Sequence, residues 1–473
     1  MTLIGLVSLI AFEAMAISTI MPTVAVELRA GEQYGLAFSL MFTAQLLGIV
    51  LAGPWIDGRG PWPSLWLGQT LFVLGSMLAG AAPTLWVLLA GRVVAGLGAG
   101  LVVVAIYVVI GLVYPERLRP RVFGWISAAW VLPSVVGPLL AAWLTQVSSW
   151  RVVFLLVVPA GGLIATALWV RRAALRGSGW GSGPGAGGGP AGAGRAGDAR
   201  RTVRLGVLVA AGAGVFQWAS TALVPPRPGP VGATVAGLAG VAAAAPRLVP
   251  AGTWLLRRGL PSVIAARFLL TAAMNGALTF VPLMLVQQRA LSVGQAGMLL
   301  ALVSVGWAGG SLTQGRSTFL GRSATLIVAG GWSLAASLVT IAGVAALSWP
   351  TWVFVPAMGV CGLGMGLAMS STSVLTLQLS AQSEHARASS ALQLSDVLGS
   401  TMGIGVCSAV YAAAVSGLTL DPGSATGGVA QGAAPGAGAV SGSPAPMTFA
   451  VMWALTAAVG AAAAWAGART RRS

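Results

Sequence analysis

The sequence predicts an all-α polytopic membrane protein with about fourteen transmembrane helices. Hydrophobic residues make up 56% of its 473 residues and charged residues only 7%, whereas about a quarter of the residues of a soluble domain are charged. Apolar runs of about 18 residues or more, enough to span a bilayer as a helix, recur along the chain. Whether the run 231–249 spans the membrane is the least certain of these assignments, because the run is rich in Ala and Gly and ends in prolines. The predicted spans are 2–22, 36–55, 64–82, 84–113, 121–146, 151–171, 205–223, 231–249, 262–288, 295–314, 324–347, 351–378, 386–416 and 447–468.

Two segments of low hydrophobicity divide the spans into groups. Residues 172–204, rich in Gly and Arg, are predicted to form a flexible cytoplasmic linker. Residues 417–446, mostly Gly, Ala, Pro and Ser, are predicted to form a disordered external loop. We therefore expect six helices in an N-terminal bundle at 1–171, two additional helices and a cytoplasmic connection at 205–258, and six helices in a C-terminal bundle at 259–473.

The distribution of arginine predicts the orientation. All 26 basic residues are arginine, and with a cytoplasmic N-terminus 21 of them lie on the inner side, as is typical of cytoplasmic loops. We predict a monomer in the inner (cytoplasmic) cell membrane with both termini cytoplasmic.

The first run is expected to remain as a span, because it lacks the basic region and cleavage site of a signal peptide. Nucleic-acid binding is not expected, because the net charge of +17 lies in the loops. The outer side receives Arg29, Arg151, Arg227 and Arg289.

Three ionisable residues lie deep inside predicted spans: Glu13, Arg92 and Asp396. At 1.5 Å per residue they lie about 17, 12 and 15 Å from the starts of their spans, near the middle of a ~30 Å hydrocarbon core. A charge at that depth costs a few kcal/mol or more, so ionisable groups there indicate a functional site. The sequence leaves open that they form only an internal structural ion pair.

Glu13 and Arg92 are the candidates for proton coupling. A buried carboxylate favours its neutral form and can exchange a proton, whereas arginine keeps its charge and stabilises the ionised carboxylate. Asp396 is the candidate for attracting a cation in a low-dielectric cavity. Arg267, near the start of its span, is interpreted as a residue whose head group reaches the membrane surface. The remaining candidates for the substrate cavity are Gln45, Asn275 and Gln393.

The two halves of the chain repeat a glycine pattern. Three glycines spaced two apart occur in the fourth span and again in the span 351–378, and a Glu-x-x-Arg sequence follows each set. Duplicated parallel halves are typical of secondary transporters. We interpret the glycines as helix-packing residues and not as a dinucleotide-binding motif, because no strand or downstream acid accompanies them. The glycines are Gly96, Gly98 and Gly100, then Gly362, Gly364 and Gly366; the Glu-x-x-Arg sequences begin at Glu116 and Glu384.

Short motifs near the span ends carry a family resemblance. The first span places Pro22 nine residues after Glu13, and the sixth begins with Trp150 and Arg151. With the others, these motifs resemble those of the major facilitator superfamily, in particular its fourteen-helix drug:proton antiporter branch, over essentially the whole chain. The second span is followed by a segment named here the gating motif, Gly53, Asp57, Arg59 and Gly60, and the fifth contains the kink residues Pro133, Gly137 and Pro138.

The resemblance implies a role for the gating motif in opening and closing and a role for the kink residues in export. The chain also departs from the family pattern. Arg59 is expected to replace the arginine that the family has at the position of Gly58. The other departures are Pro61 at an arginine position, Ala95 at a glutamine position and Ala141 at a glycine position.

The expected function is therefore secondary active transport. The protein is predicted to export amphipathic or cationic small molecules in exchange for protons by alternating access, with no metal and no cofactor. Proton-coupled uptake of a small organic solute is the alternative, and a channel or receptor is a more distant one. An enzyme is not expected, because the spans contain no histidine and no nucleophile–base pair.

Overall fold

The protein is α-helical throughout the part of the chain that the structure describes. This computed structural model describes residues 2–30, 33–113, 119–170, 192–220, 228–314, 322–380, 385–420 and 446–470, in which no β-strand occurs. A 3-10 turn, Thr351–Val353, precedes α14. The helices are α1 Thr2–Glu27, α2 Leu36–Arg59, α3 Pro61–Gly80, α4 Leu85–Val113, α5 Arg119–Val147, α6 Trp150–Leu155, α7 Val157–Val170, α8 Gly192–Ser220, α9 Pro228–Leu248, α10 Leu260–Leu278, α11 Val281–Arg289, α12 Val293–Gln314, α13 Ser323–Ala346, α14 Phe354–Leu379, α15 His385–Leu420 and α16 Pro446–Ala468.

These helices confirm the predicted all-α polytopic fold of about fourteen spans. Helices α6 and α7 together form the sixth predicted span, and α10 and α11 together form the ninth. Within the described ranges, twelve helical segments are long and apolar enough to cross a membrane, and α9 is one of them. The two further predicted spans correspond to α3 and α5, which contain several polar residues and prolines.

Some helix ends differ from the prediction. Helix α8 begins at Gly192, so residues 192–204, assigned above to the linker, are helical. Helix α2 continues to Arg59, so Asp57 lies in its last turn and not in a connecting turn. Polar residues at the end of an apolar run hide the true helix end, because hydropathy detects the membrane core and not the helix that extends beyond it. The predicted linker residues up to 191 and the loop residues 421–445 lie outside the described residues.

The chain divides into two compact units. Unit 1 contains residues 1–17, 40–211 and 240–248. Its core includes Phe72 and Ala95, where α3 packs along α4. A Cβ atom at Gly96 or Gly100 would collide with backbone of α2, whereas one at Gly98 would collide with backbone of α3. These glycines therefore let α4 pack closely against both neighbouring helices.

Unit 2 contains residues 18–39, 212–239 and 249–473. Helix α10 packs against α15 and α16, and α14 packs between α12 and α13. Gly362 and Gly366 face the backbone of α12, and Gly364 faces α13. This repeats the arrangement of Gly96, Gly98 and Gly100 in unit 1, so the duplicated sequence pattern corresponds to duplicated helix packing. Both cysteines are buried in this unit, Cys361 in α14 and Cys407 in α15.

Candidate functional site

Glu13 and Arg92 form a buried ion pair in unit 1. Arg92 Nη1 of α4 donates a hydrogen bond to Glu13 Oε1 of α1 at 2.8 Å. The Glu13 side chain is only 2% exposed and the Arg92 side chain only 3%. Charge-assisted hydrogen bonds of this length are about twice as strong as neutral ones. The structure thus brings together the two residues that the sequence predicts for proton coupling.

The two oxygens of Glu13 have different surroundings. The Ser76 hydroxyl oxygen of α3 lies 3.5 Å from Glu13 Oε1, and the hydroxyl donates a hydrogen bond to the Phe72 carbonyl at 2.9 Å. Glu13 Oε2 is buried and has no hydrogen-bond partner among the described residues. An unpaired carboxylate oxygen in an apolar environment is unfavourable as an anion. This oxygen is therefore the position at which a proton would stabilise the site.

Small residues bring α3 and α4 together at the level of the ion pair. A Cβ atom at Gly75 would lie 2.6 Å from the Gly91 carbonyl oxygen, and one at Gly91 would lie 2.6 Å from Ala79 N. Gly91 directly precedes Arg92 in α4, and Gly75 directly precedes Ser76 in α3. Ser76 of α3 and Arg92 of α4 both lie next to Glu13 Oε1.

Helix α5 passes the same site at Gly137, one of its three kink residues. Pro133 and Pro138 both lie within the helix and are buried. A Cβ atom at Gly137 would be 3.5 Å from the Phe12 carbonyl oxygen and 3.6 Å from Met15 Cβ. Phe12 adjoins Glu13, so the segment of α5 that contains the two prolines passes α1 at the acid.

A second ion pair lies in unit 2. Arg267 Nη2 of α10 donates to Asp396 Oδ2 of α15 at 3.0 Å, and the two side chains are 9% and 25% exposed, respectively. Arg267 Nη1 also donates to the Met369 carbonyl at 3.0 Å and to Thr372 Oγ1 at 3.1 Å, both in α14. The guanidinium therefore joins three helices of one unit.

The interpretation of Arg267 as a surface-reaching residue was wrong. Arg267 lies seven residues after the start of α10, about 10 Å along the helix, and its long side chain could have extended either way. The structure turns it inward, where an acid and three uncharged acceptors receive its hydrogen bonds. The sequence did contain a signal for this pairing. An arginine and an aspartate lie in two spans of the same half, and neither has an opposite charge close to it in the sequence.

The predicted cavity residues lie in two different units. In unit 2, Asn275 Nδ2 donates to Ser400 Oγ at 2.8 Å, and Ser400 Oγ donates to the Asp396 carbonyl at 2.9 Å. Gln393 is half-buried one helical turn before Asp396. The structure thus connects Asn275 to Asp396 through Ser400. Gln45 is half-buried on α2 in unit 1.

The gating motif lies at the junction of α2 and α3. Gly60 has a φ of 81° and lies immediately before Pro61, the first residue of α3. That backbone conformation is costly for other residues, which explains the glycine. Arg59 is exposed and Gly53 is half-buried. The Asp57 side chain lies outside the described part of the structure, and within that part no cluster of His, Cys, Asp and Glu could hold a metal ion.

Within the described residues, twelve apolar helical segments and two ion pairs, one in each of two repeated units, define a multi-pass membrane transport protein. Residues 3–404 match the Major Facilitator Superfamily. Because this match covers most of the chain, the protein belongs to that superfamily.

Curated relatives match shorter stretches. The chain is 32% identical over 173 residues to the acurin A biosynthesis cluster MFS-type transporter of Aspergillus aculeatus, which is 36% of this chain and 31% of that protein. It is 28% identical over 153 residues to the multidrug efflux pump SdrM of Staphylococcus aureus, which is 32% of this chain and 33% of that protein. The chain thus spans about a third of the length of these relatives.

Solved structures share the fold. A bacterial homologue of the human lysosomal transporter Spinster superposes with a TM-score of 0.65 at 16% identity, covering 100% of this chain and 97% of that chain. The peptide transporter POT in complex with sulfate gives a TM-score of 0.65 at 14% identity, covering 89% and 91%. Identities this low show the fold alone.

Proposed function

We propose that the protein is a proton-coupled exporter of amphipathic small molecules, and that Glu13 and Arg92 couple the proton to transport. The buried ion pair carries this proposal, because Glu13 has one oxygen bound to Arg92 and one buried oxygen without a described partner. The carboxyl group of Glu13 can therefore be stabilised in two alternative ways, by the charge of Arg92 or by binding a proton.

Because of the ion pair, protonation of Glu13 changes the energy of this conformation substantially. While Glu13 is ionised, its charge and that of Arg92 compensate each other over 2.8 Å. When Glu13 takes up a proton, Arg92 keeps its charge in a buried position. Neutralising one partner of a buried ion pair costs about 3–5 kcal/mol, because the attraction between the two charges is lost. An energy difference of this size is sufficient to favour one conformation before and another after protonation, as alternating access requires.

Export is the direction that the observations favour over uptake. The kink residues of α5 resemble the motif associated with export, and one of them, Gly137, packs against α1 at Phe12, next to Glu13. The Staphylococcus aureus relative is named a multidrug efflux pump. We therefore place the chain in the fourteen-helix drug:proton antiporter branch, with α8 and α9 as its additional helices and the gating motif at the cytoplasmic end of α2.

Flux in proteoliposomes tests this proposal. The purified protein is reconstituted, a pH gradient is imposed, and movement of a chemically diverse panel that includes ethidium and neutral amphipathic compounds is followed. Wild-type protein should move at least one compound against the direction of proton flow. Movement only in the same direction as the protons would replace antiport by proton-coupled uptake.

Glu13→Gln is the decisive variant. It keeps the size and hydrogen-bonding capacity of the side chain but resembles the protonated acid at every pH, so pH-driven flux should be lost. Exchange of labelled compound at equal pH on both sides should persist, which shows that the variant is folded. Full pH-driven flux in a well-expressed Glu13→Gln variant would remove Glu13 from the mechanism.

A further inference from the structure

The connection between α9 and α10, residues 249–259, is folded against unit 2 in a defined conformation. Thr253 is buried, and its hydroxyl donates to the Pro250 carbonyl at 2.7 Å. The Ser262 hydroxyl of α10 donates to the Leu256 carbonyl at 3.1 Å. The Leu256 side chain packs against a buried cluster contributed by α10, α13 and α16. The side chains that the connection points outward therefore have fixed places.

These outward side chains are apolar and basic. Trp254 is 40% exposed and Leu255 is 71% exposed. The Trp254 ring packs edge-on against Phe268 of α10, with 5.0 Å between the ring centroids. Arg257 and Arg258 are both exposed. Two large apolar side chains and two arginines thus lie on the surface within five consecutive residues.

The end of α16 adds to the same surface. Gly259 N donates to the Arg469 carbonyl oxygen at 3.4 Å, which places the end of α16 beside the connection. Arg469 is exposed, and its guanidinium carbon lies 4.3 Å from the centroid of the exposed Trp465 ring, a cation–π contact. We name this surface the basic-aromatic patch: Trp254, Leu255, Arg257, Arg258, Trp465 and Arg469.

No acid accompanies these arginines in the neighbouring segments of the chain. The sequence contains no Asp or Glu from 199 to 383 or from 422 to 473. These ranges include the connection and all of α9, α10, α13 and α16. The patch therefore concentrates positive charge, and the partner that complements it is an anion.

The patch lies where two apolar spans end. Helix α10 begins at Leu260 and α16 ends at Ala468, and both belong to segments apolar enough to cross a membrane. Lipid headgroups lie at this level, and tryptophan is common there. A lipid offers phosphate to the arginines and apolar groups to Trp254 and Leu255, whereas a soluble anion would leave those two side chains in water.

We propose that the basic-aromatic patch binds the headgroup of an anionic phospholipid. The arginines hold the phosphate through charge-assisted hydrogen bonds, and the exposed apolar side chains contact the lipid below its headgroup. Each basic group near an anionic membrane surface strengthens binding about fivefold. This site goes beyond the proposed function, because lipid binding requires neither transport nor the Glu13–Arg92 pair.

Native mass spectrometry of the purified full-length protein in a non-ionic detergent tests this inference. The protein is titrated with dioleoyl phosphatidylglycerol or with dioleoyl phosphatidylcholine, which have the same acyl chains but differ in headgroup charge. The dissociation constant of the first bound lipid is measured for each. Wild-type protein should bind phosphatidylglycerol about tenfold or more tightly than phosphatidylcholine. Equal affinities for the two lipids would overturn the proposal.

The variant Arg257→Gln/Arg258→Gln should bind phosphatidylglycerol about tenfold or more weakly than wild type, because two basic groups are lost. Its affinity for phosphatidylcholine should change little. Both side chains are exposed, so the unfolding temperature without added lipid should remain that of wild type. Unchanged phosphatidylglycerol affinity in this variant would remove the two arginines from the site.

The matched control is Arg200→Gln/Arg201→Gln. It also removes two exposed arginines, but from α8, where no aromatic residue lies within ten positions of them. The control should bind phosphatidylglycerol as wild type does. An equal loss in the control would show general attraction to positive charge and not a site at the patch.

Thermal unfolding in detergent separates a lipid from a soluble anion. Phosphatidylglycerol should raise the unfolding temperature of wild type more than that of Arg257→Gln/Arg258→Gln, because a ligand of the folded state stabilises it. Inorganic phosphate should have no such effect, since it has no apolar part to cover Trp254 and Leu255. An equal rise with inorganic phosphate would overturn the assignment to a lipid. Neither measurement uses a gradient or an exported compound, so failure of the proposed export function would leave both results standing.

Discussion

Arg92 carries a permanent charge and forms an ion pair with Glu13 at 2.8 Å. The sequence could predict this meeting, because both residues lie at similar depth in separate spans of one half. It could not predict the pairing of Arg267 with Asp396. Depth along a helix follows from residue number, but the direction of a long side chain depends on how the helix is rotated against its neighbours.

At this scale we predict that Arg92→Ala lowers the thermal stability of the protein, because it leaves the Glu13 carboxylate buried without its partner, at a cost of about 3–5 kcal/mol. Arg92→Lys should recover part of this loss, since ammonium keeps the charge but lacks the planar fork. Thermal unfolding in detergent measures the effect.

The double variant Glu13→Gln/Arg92→Met is the matched control for that experiment. It removes both charges, so its unfolding temperature should lie close to that of wild type while pH-driven flux remains absent. A double variant as unstable as Arg92→Ala would show that the ion pair is not the cause of the stability loss.

Hydropathy predicts the transmembrane helices because the bilayer fixes their length. It does not predict which other helices the additional helices contact. Gln217 of α8 is fully buried and donates to the Thr401 carbonyl of α15 at 3.1 Å. A Cβ atom at Gly405 would lie 2.7 Å from Phe216 Cε1. Helix α8 is thus docked on the helix that carries Asp396, which its composition did not reveal.

For α9 we predict that Gly237→Val destabilises the protein by about 1–3 kcal/mol, a typical cost of overpacking. A Cβ atom at Gly237 would lie 2.6 Å from the Gly212 carbonyl oxygen and from Phe216 N of α8. Gly232→Val in the same helix is the control, because no described atom of another element lies within 4 Å of a Cβ placed there. Equal unfolding temperatures for the two variants would contradict the close packing of α8 and α9.

The duplicated glycines give a prediction of their own. Gly96→Ala and Gly362→Ala should each destabilise the protein, because each added methyl group would collide with backbone of the neighbouring helix, α2 or α12. Gly359→Ala, also in α14, is the control, since a Cβ there meets no described atom of another element within 4 Å. If Gly359→Ala is as harmful as Gly362→Ala, loss of stability reflects α14 in general and not this contact.

For the whole molecule, the division into two bundles around two additional helices and the orientation both stay predictions. Arg267 no longer counts as an inner-loop residue, which leaves 20 arginines inside against four outside. Tags at positions 185 and 473 should therefore be protected from an external protease in intact cells, and a tag at position 430 should be cleaved. Cleavage at 185 would reverse the orientation.

Each unit balances its own buried charges, and this matters while the chain is being made. Glu13 is matched by a residue 79 positions later, and Arg267 by one 129 positions later. The nascent first half can therefore neutralise its acid as soon as α4 leaves the ribosome, without waiting for the second half. A chain stopped at residue 84 has the acid but not its arginine, so it should accumulate poorly in the membrane. Glu13→Gln in that fragment, or extension to residue 113, should raise its yield.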